Sequence, residues 1–273
     1  MNQFGCALVT GASGGIGEAF ARRLAADGLD LMLVARSGDK LKQLARALRK
    51  SCGVRVETVA LDLAKPGAGP RLKLAVEEAE LKVDMLVNNA GFGMVGSFHK
   101  LDPSRTGEMV ALNIGAVVDV THAFLPDMLS LGRGAILNIA SMAAFQPTPY
   151  MTSYGATKAF VLSFSEGLWG EYRKRGIRVL AVCPGPVDTG FFDATGFPET
   201  RAGMPRRMML KAERVVEESL DALARNKMII VPGSMGQGLV AGLPRLAPRK
   251  WIAAGVAGML GRSTRSSDPD RDT

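Results

Sequence analysis

Residues 10–17 read Thr-Gly-Ala-Ser-Gly-Gly-Ile-Gly and join an apolar, β-rich run to the first helical pattern of the chain. In such a strand-to-helix turn, Gly11 makes the tight turn, Gly15 lets the backbone approach a pyrophosphate, and Gly17 lets the helix pack closely on the strand. The start of the helix adds unpaired N–H groups and partial positive charge. A glycine pattern alone also fits a flexible turn, but its position between strand and helix predicts a dinucleotide-binding loop.

Apolar β-rich runs continue to alternate with helical patterns as far as residue 231. This alternation predicts a parallel sheet covered by helices on both faces. The predicted strands are 4–9, 30–35, 54–60, 83–88, 134–140, 177–183 and 227–231, and the predicted helices are 15–27, 38–50, 68–80, 104–130, 152–175 and 211–225. We therefore predict an α/β fold in three layers, with a doubly wound parallel sheet of seven strands of the Rossmann type.

The composition is that of an ordinary globular protein, with 47% hydrophobic and 22% charged residues. The cysteines and histidines are scattered (Cys6, Cys52, Cys183, His99 and His122), so we expect neither a disulfide framework nor a metal site. The formal net charge is +8, but no stripe of basic and aromatic residues appears, so we expect no nucleic-acid partner. The first strand follows no basic leader and no apolar run is long enough to span a bilayer, so we expect a cytoplasmic protein.

Arg36 ends the second predicted strand, about twenty residues after the glycine loop. An NAD-selective site normally has an acidic side chain here, which binds the ribose 2′-hydroxyl. The fork of an arginine suits a 2′-phosphate instead, so we expect NADP(H), while NAD(H) stays open. Ser13 can add a hydroxyl to the phosphate site, and Ile16 of the same loop is a further expected contact. The alternative for Arg36 is an ordinary solvated side chain at a strand end.

Two other strand ends offer contacts to the dinucleotide. An Asp-Leu pair follows the third strand, where the carboxylate can hydrogen-bond adenine or simply cap the next turn. Residues 88–91, Asn-Asn-Ala-Gly, close the fourth strand; their small side chains leave room for a ribose, and the amides can lock neighbouring strands together. The expected cofactor contacts in these two segments are Asp62, Leu63, Asn89, Ala90 and Gly91.

The reacting groups are predicted around the fifth strand and the helix that follows it. A spacing of four places Tyr154 and Lys158 on one face of that helix, where the ammonium is expected to favour the phenolate. The phenol can then donate a proton to a carbonyl oxygen or accept one from an alcohol. Ser141, at the end of the strand, can hydrogen-bond the same oxygen as charge develops on it. A tyrosine and a lysine four residues apart are alone more often a surface pair, so the inference rests on the combination of all three.

Together these motifs resemble the short-chain dehydrogenase/reductase family, from residue 4 to about 231. The matching segments are residues 10–17, Asn-Asn-Ala-Gly at 88–91, Asn113, Ser141, Tyr154 with Lys158, and Pro-Gly-Pro-Val-Asp-Thr at 184–189. The resemblance implies an NADP-binding oxidoreductase domain over 1–233, acting on a small-molecule carbonyl or alcohol. It also implies a homodimer or homotetramer formed by the helices at 104–130 and 152–175.

The resemblance assigns further roles. Asn113 would complete a catalytic tetrad and hold a water that links Lys158 to solvent. Val187 and Thr189 would contact the carboxamide end of the nicotinamide, with Pro184 and Gly185 beside them in the cofactor site. Asn113 taken alone would be an ordinary polar helix residue.

The substrate is predicted to be a hydrophobic ketone, aldehyde or acyl derivative, bound in an apolar pocket under a lid within residues 185–210. The candidate lining residues are Met142, Ala144, Phe145, Gln146, Tyr150, Phe191, Phe192, Met204, Met208 and Met209, for which ordinary core packing is the alternative. Residues 234–273 are expected to form a C-terminal extension that packs on the domain and ends in a disordered tail. Two prolines interrupt its basic segment 243–251, so packing or lid duty is favoured over contact with a membrane surface.

Two rival functions stay open. A nucleotide-sugar epimerase or dehydratase would have a differently spaced glycine loop and a longer substrate domain. A non-catalytic NADP sensor or scaffold could dispense with the tyrosine, whereas this chain has all three reacting residues. The first reading remains an NADP(H)-dependent oxidoreductase.

Overall fold

The computed structural model describes residues 4–191, 209–233 and 248–265, with the side chains of the last segment described as far as 258. This part of the chain contains one sheet of seven parallel strands in the order β3-β2-β1-β4-β5-β6-β7. The strands are β1 Cys6–Thr10, β2 Asp30–Ala35, β3 Val56–Ala60, β4 Met85–Asn88, β5 Gly134–Ile139, β6 Ile177–Val182 and β7 Ile229–Ile230. The predicted Rossmann-type, doubly wound fold is confirmed.

Helices cover both faces of the sheet. Their bounds are α1 Gly15–Ala26, α2 Gly38–Cys52, α3 Ala68–Glu78, α4 Pro103–Val110, α5 Ala116–Ser130, α6 Thr152–Tyr172, α7 Ala212–Ala224 and α8 Arg249–Arg265. Short 3-10 turns lie at Phe98–Lys100 and Met142–Phe145. Residues 234–247 and 266–273 lie outside the described residues, so the packing of the C-terminal extension and its disordered end stay predictions.

Side chains of the central strands alternate between two cores, as the period of a strand requires. Val9, Leu33 and Val87 point to the core under α1, α2 and α7. Leu8 and Leu86 point to the opposite core, under α3, α5 and α6. Because both faces are buried, these strands read as continuous apolar runs, which is the pattern that located them in the sequence.

The first strand begins later than the predicted residue 4 because a side chain takes the place of a neighbouring strand. The carboxylate of Asp84 accepts hydrogen bonds from the N–H groups of Gly5 and Cys6 at 3.0 and 3.1 Å. Asp84 is itself buried, and Arg133 contacts its second oxygen at 3.3 Å. The last strand is also shorter than predicted, two residues instead of the five at 227–231.

The predicted helix at 104–130 is one helical stretch, Pro103–Ser130, with a π turn at Ala111–Gly115 that the sequence did not predict. By length and composition this stretch meets the requirements of a membrane span, contrary to the expectation that no segment would. Val120, Phe124 and Met128 on it are nevertheless buried in the core beside the sheet. Such burial is that of a core helix in an α/β domain.

Asp84 is expected to stabilise the start of the first strand, because its removal leaves the buried N–H of Cys6 and the N–H of Gly5 without their carboxylate acceptor. Asp84→Ala should lower the free energy of unfolding by about 2–4 kcal/mol, measured by urea denaturation. Asp221→Ala is the matched control, since it removes an exposed carboxylate paired with Arg225 at 3.7 Å, and should change stability by less than about 0.5 kcal/mol. Equal losses in the two variants would contradict this role.

Candidate active site

The candidate site lies at the carboxyl ends of β1 and β4, where the strand order reverses. The chain winds outward from β1 through β2 and β3, then returns to β4 on the other side of β1. The loops after these two strands therefore diverge and leave a crevice, which is where doubly wound folds bind nucleotides. The glycine loop follows β1 and the Asn-Asn-Ala-Gly segment closes β4, so the predicted cofactor contacts meet here.

The glycine loop has the shape of a phosphate cradle. Gly11 and Gly15 have positive φ angles of 65° and 59°. Within the described chain, no side chain caps α1 at Gly14, and no heavy atom lies within 4 Å of a Cβ built there. The start of α1 therefore has open space at Gly14, which suits a pyrophosphate. Of the other loop residues, Ser13 is half-buried and Ile16 packs against the core.

Gly17 is required by close packing. A Cβ at this position would lie 2.5 Å from Nδ2 of Asn89 and 2.9 Å from the carbonyl carbon of Gly11, so any other residue must displace the loop. The Asn89 amide is held by its own hydrogen bonds to the carbonyl oxygens of Thr10 and Gly11, at 2.9 and 3.2 Å. The helix, the loop and the end of β4 thus fix one another.

Thr10 completes this junction and was not singled out in the sequence. Its hydroxyl accepts hydrogen bonds from the N–H groups of Asn89 and Ala90 at 2.9 and 3.0 Å, and donates to the carbonyl oxygen of Val87 at 3.3 Å. The sequence feature that could have identified Thr10 is its position immediately before Gly11. The strand-locking role predicted for the amides is also seen in Asn88, which donates to Asn138 on β5 at 2.9 Å.

A narrow gap beside this junction brings together predicted contacts from the segments after β3 and β4, but it is too small to hold a water molecule. Its lining residues include Leu63 and Ala90, both predicted, together with Leu112, which was not. Asp62 stands next to it, and its carboxylate accepts a hydrogen bond from the N–H of Ala64 at 3.1 Å. That contact is the turn-capping alternative considered for Asp62, and it leaves the second carboxylate oxygen without a role in this turn.

Arg36 lies exposed at the end of β2 and is engaged by a residue that the sequence did not point to. Its guanidinium contacts one carboxylate oxygen of Glu108 at 2.9 Å. Arg105 contacts the other oxygen at 2.6 Å. The predicted phosphate-binding arginine is therefore part of a three-residue ion-pair group.

Tyr154 and Lys158 are both buried in the first turns of α6, with the ammonium nitrogen 5.9 Å from the centre of the phenol ring. The ammonium donates to the carbonyl oxygen of Ile139, at the end of β5, at 2.8 Å. Ser141 hydrogen-bonds the phenol of Tyr154, and its hydroxyl oxygen accepts from the N–H of Ala143 at 3.1 Å. The three predicted reacting side chains therefore meet at one edge of the sheet.

The ionisation of this pair is governed mainly by burial. Burial raises the pKa of Tyr154 to about 12, and the hydrogen bond from Ser141 offsets only part of that rise. Burial likewise lowers the pKa of Lys158 to about 8, against an opposing effect of Cys183. The sequence shows the spacing of the two groups but not their removal from water, and the stabilisation of the phenolate by Lys158 stays a prediction. At neutral pH, Tyr154 is a protonated phenol.

Asn113 lies fully buried in the π turn and holds the chain beside the reacting pair. Its side chain accepts from the N–H of Phe92 at 3.1 Å and donates to the carbonyl oxygen of Phe92 and the hydroxyl of Thr157, each at 3.0 Å. A Cβ at Gly91 would lie 2.8 Å from Oδ1 of Asn113 and 3.5 Å from the ammonium of Lys158. The side chain thus positions neighbours of Lys158, while the implied link through water stays a prediction.

The loop after β6 closes the site from the other side. The carbonyl oxygen of Pro184 accepts from the N–H of Met142, next to the predicted catalytic serine, at 3.0 Å. Thr189 lies against the glycine loop, since a Cβ at Gly15 would be 3.3 Å from its side chain. Val187 is buried and Gly185 half-buried between these two contacts. The segment implied to bind nicotinamide therefore spans the distance from the cradle to the reacting groups.

An apolar cluster packs against Tyr154. Phe92 and Met109 are buried in it, and the ring of Phe191 lies 5.6 Å from the phenol ring. The partly buried members are Met94, Leu112, Ala143, Met151 and Phe191, of which only Phe191 was among the predicted lining residues. Ala144 and Phe145 pack instead against the core near α6, as the alternative for them stated. Phe192, Met204 and Met208 lie outside the described residues.

Comparison with known proteins identifies the family. A family model described as short chain dehydrogenase matches residues 5–197. The chain belongs to the short-chain dehydrogenase/reductase family. The predicted recognition, and with it the prediction of an oxidoreductase of this family, is confirmed.

Relatives of this short-chain dehydrogenase/reductase carry related names. The very-long-chain 3-oxoacyl-CoA reductase of Homo sapiens is 32% identical over 95% of the chain and 80% of its own length. In several other vertebrate relatives the match spans 56–61% of their length. A short-chain dehydrogenase from Sphingobium yanoikuyae, solved with NADPH, is 31% identical, with a TM-score of 0.78 over 98% of both chains. A bulky-bulky ketone specific alcohol dehydrogenase from Comamonas testosteroni is 28% identical, with a TM-score of 0.74 over 98% of this chain and 96% of that one.

Proposed function

We propose that this protein is an NADP(H)-dependent oxidoreductase that reduces the carbonyl group of a hydrophobic small molecule to an alcohol, or catalyses the reverse. The observation that carries the proposal is the environment of Tyr154. A protonated phenol lies buried beside Ser141 and Lys158, packed against apolar side chains, at the same sheet edge as the phosphate cradle. A proton donor, an oxyanion stabiliser and a nucleotide site are what carbonyl reduction requires.

The chain's own residues supply the acid–base part of this reaction. Bound NADPH would supply the hydride to the carbonyl carbon. Tyr154 donates its proton to the carbonyl oxygen as the new C–H bond forms. Ser141 donates a hydrogen bond to that oxygen by turning toward the substrate the hydroxyl hydrogen that the resting site directs at the phenol, while its own oxygen still accepts from the N–H of Ala143. The ammonium of Lys158 then stabilises the phenolate, which would otherwise be an unpaired charge in a buried site.

The proposed substrates are bulky ketones and 3-ketoacyl thioesters. The apolar cluster around Tyr154 supports this class, since the ring of Phe191 and the thioethers of Met94 and Met151 favour hydrocarbon over hydroxylated substrates. The names of the human and Comamonas relatives support it independently. We also propose a homodimer or homotetramer formed through α5 and α6, where Phe160 is exposed and stacks on Phe164 at 5.8 Å.

Loss of the phenol should slow turnover strongly without loss of nucleotide binding. We expect Tyr154→Phe to lower the rate of NADPH-dependent reduction by about 10²–10⁴-fold, because the proton donor is removed while the ring and its packing remain. The assay is NADPH oxidation on a panel of 3-ketoacyl thioesters of rising chain length, bulky ketones and small polar aldehydes. Tyr172→Phe, the same change farther along α6, is the control and should keep full activity. If the wild type is as inert as Tyr154→Phe on the whole panel but binds NADPH tightly, the result would instead support a sensor or scaffold.

Arg36 should decide the choice of cofactor. Arg36→Asp replaces a cation with an anion at the 2′-phosphate site and should weaken NADPH binding relative to NADH by about 10–100-fold. The dissociation constants of both nucleotides are measured by quenching of protein fluorescence. Arg46→Asp makes the same change on the exposed face of α2 and should leave the ratio unaltered. An unchanged ratio in Arg36→Asp removes this residue from its assigned role.

The pH dependence of reduction should follow Lys158. Its pKa is lowered to about 8, so the ammonium is present below that pH and is lost as the pH rises through it. Tyr154, with its pKa raised to about 12, stays protonated over the same range. We therefore expect kcat for carbonyl reduction to be constant below about pH 7 and to fall toward tenfold per pH unit above about pH 8. A rate that is constant up to pH 10 would show that the charge of Lys158 is not needed.

A further inference from the structure

The group formed by Arg36, Glu108 and Arg105 places a carboxylate in the region assigned to the phosphate. One oxygen of Glu108 contacts Arg36 at 2.9 Å and the other contacts Arg105 at 2.6 Å, so each arginine has its own oxygen. Glu108 lies on α4, 72 positions from Arg36 in sequence and one helical turn before Leu112 of the apolar cluster around Tyr154. The pair therefore joins the end of β2, where the 2′-phosphate is proposed to bind, to α4.

The three side chains differ in how firmly they are held. Arg36 has 57% of its side chain exposed and is free to turn toward a ligand, whereas Glu108 has 29% exposed. The guanidinium of Arg105 stacks on the buried ring of Phe92, with its central carbon 4.2 Å from the ring centre. Arg105 and Glu108 thus form the fixed part of the group, and Arg36 the movable one.

We propose that Glu108 sets the strength of the preference for NADP(H), by competing with the 2′-phosphate for Arg36, and that Arg105 limits this competition by retaining the carboxylate. This inference rests on the cofactor role proposed for Arg36. The phosphate carries nearly two negative charges, and a carboxylate on the same guanidinium repels it. When Arg36 turns to the phosphate, Glu108 keeps its contact with Arg105 and is not left as an unpaired anion.

The competition predicts opposite changes in NADPH affinity for substitutions of Glu108 and of Arg105. Glu108→Gln removes the competing charge and should tighten NADPH binding by about fivefold, the size expected of one partly screened charge several ångströms away. Arg105→Gln frees Glu108 to pair with Arg36 alone and should weaken NADPH binding by a similar factor. NADH lacks the phosphate, so its affinity should stay nearly constant in both variants. Because Arg105 acts through Glu108, the double variant should bind NADPH about as tightly as Glu108→Gln alone.

The measurement is the dissociation constant of NADPH and of NADH at low and high salt, with circular dichroism to verify folding. The NADPH difference between wild type and Glu108→Gln should shrink at high salt, because the Debye length falls from about 10 Å at 0.1 M to about 3 Å at 1 M. Asp221→Asn removes one exposed negative charge elsewhere and should alter neither affinity.

Each alternative result is decisive. Weaker NADPH binding in Glu108→Gln would show that the carboxylate orients Arg36 for the phosphate, and unchanged binding would show that it has no influence; both overturn this inference. If the wild type does not prefer NADPH, or Arg36→Asp leaves the ratio of affinities unaltered, the proposed cofactor role itself fails. The two failures are therefore distinguishable.

Discussion

The junction between the ends of β1 and β4 is the constraint on which the rest of the site depends. The hydroxyl of Thr10 accepts hydrogen bonds from two N–H groups of the segment after β4. The side-chain amide of Asn89 donates two hydrogen bonds to the carbonyl oxygens of Thr10 and Gly11. Gly17 lets α1 approach this junction more closely than any side chain would allow. Because these contacts are mutual, the opening of the crevice and the direction of α1 are fixed before any ligand binds. Preorganisation of this kind lowers the entropy that binding must overcome.

A buried polar network extends this rigidity to the helices that carry the reacting residues. Asn88 donates to Thr121 on α5 and to Asn138 on β5, at 3.0 and 2.9 Å, and Asn138 donates to Ser165 on α6 at 2.9 Å. All four side chains are buried, so breaking one bond would leave a polar group without a partner. The network therefore fixes α5 and α6 against the sheet, and with them the depth at which Tyr154 lies.

Sequence and structure agree where the signal is local and differ where it is long-range. The glycine loop was predictable because strand, turn and helix follow one another along the chain, and the strands because both faces of the sheet are apolar. The contact of Glu108 with Arg36 joins residues 72 positions apart, and no periodicity marks such a pair. The π turn was hidden for a related reason, since its residues have the same apolar pattern as the helix on either side. Met94 and Met151 join the apolar cluster through loops, whose course the sequence did not reveal.

The ionisation of Tyr154 and Lys158 shows how burial directs chemistry. Each group alone in water holds its proton to about pH 10. Burial disfavours the charged form of both, so it raises the pKa of the phenol and lowers that of the ammonium. The proton is therefore held most firmly on the tyrosine, the residue placed to donate it to a substrate oxygen. Once the phenol has given up its proton, the same low-dielectric surroundings strengthen the attraction between phenolate and ammonium. Burial therefore keeps the phenol protonated in the resting site and strengthens the ion pair that forms as the reaction proceeds.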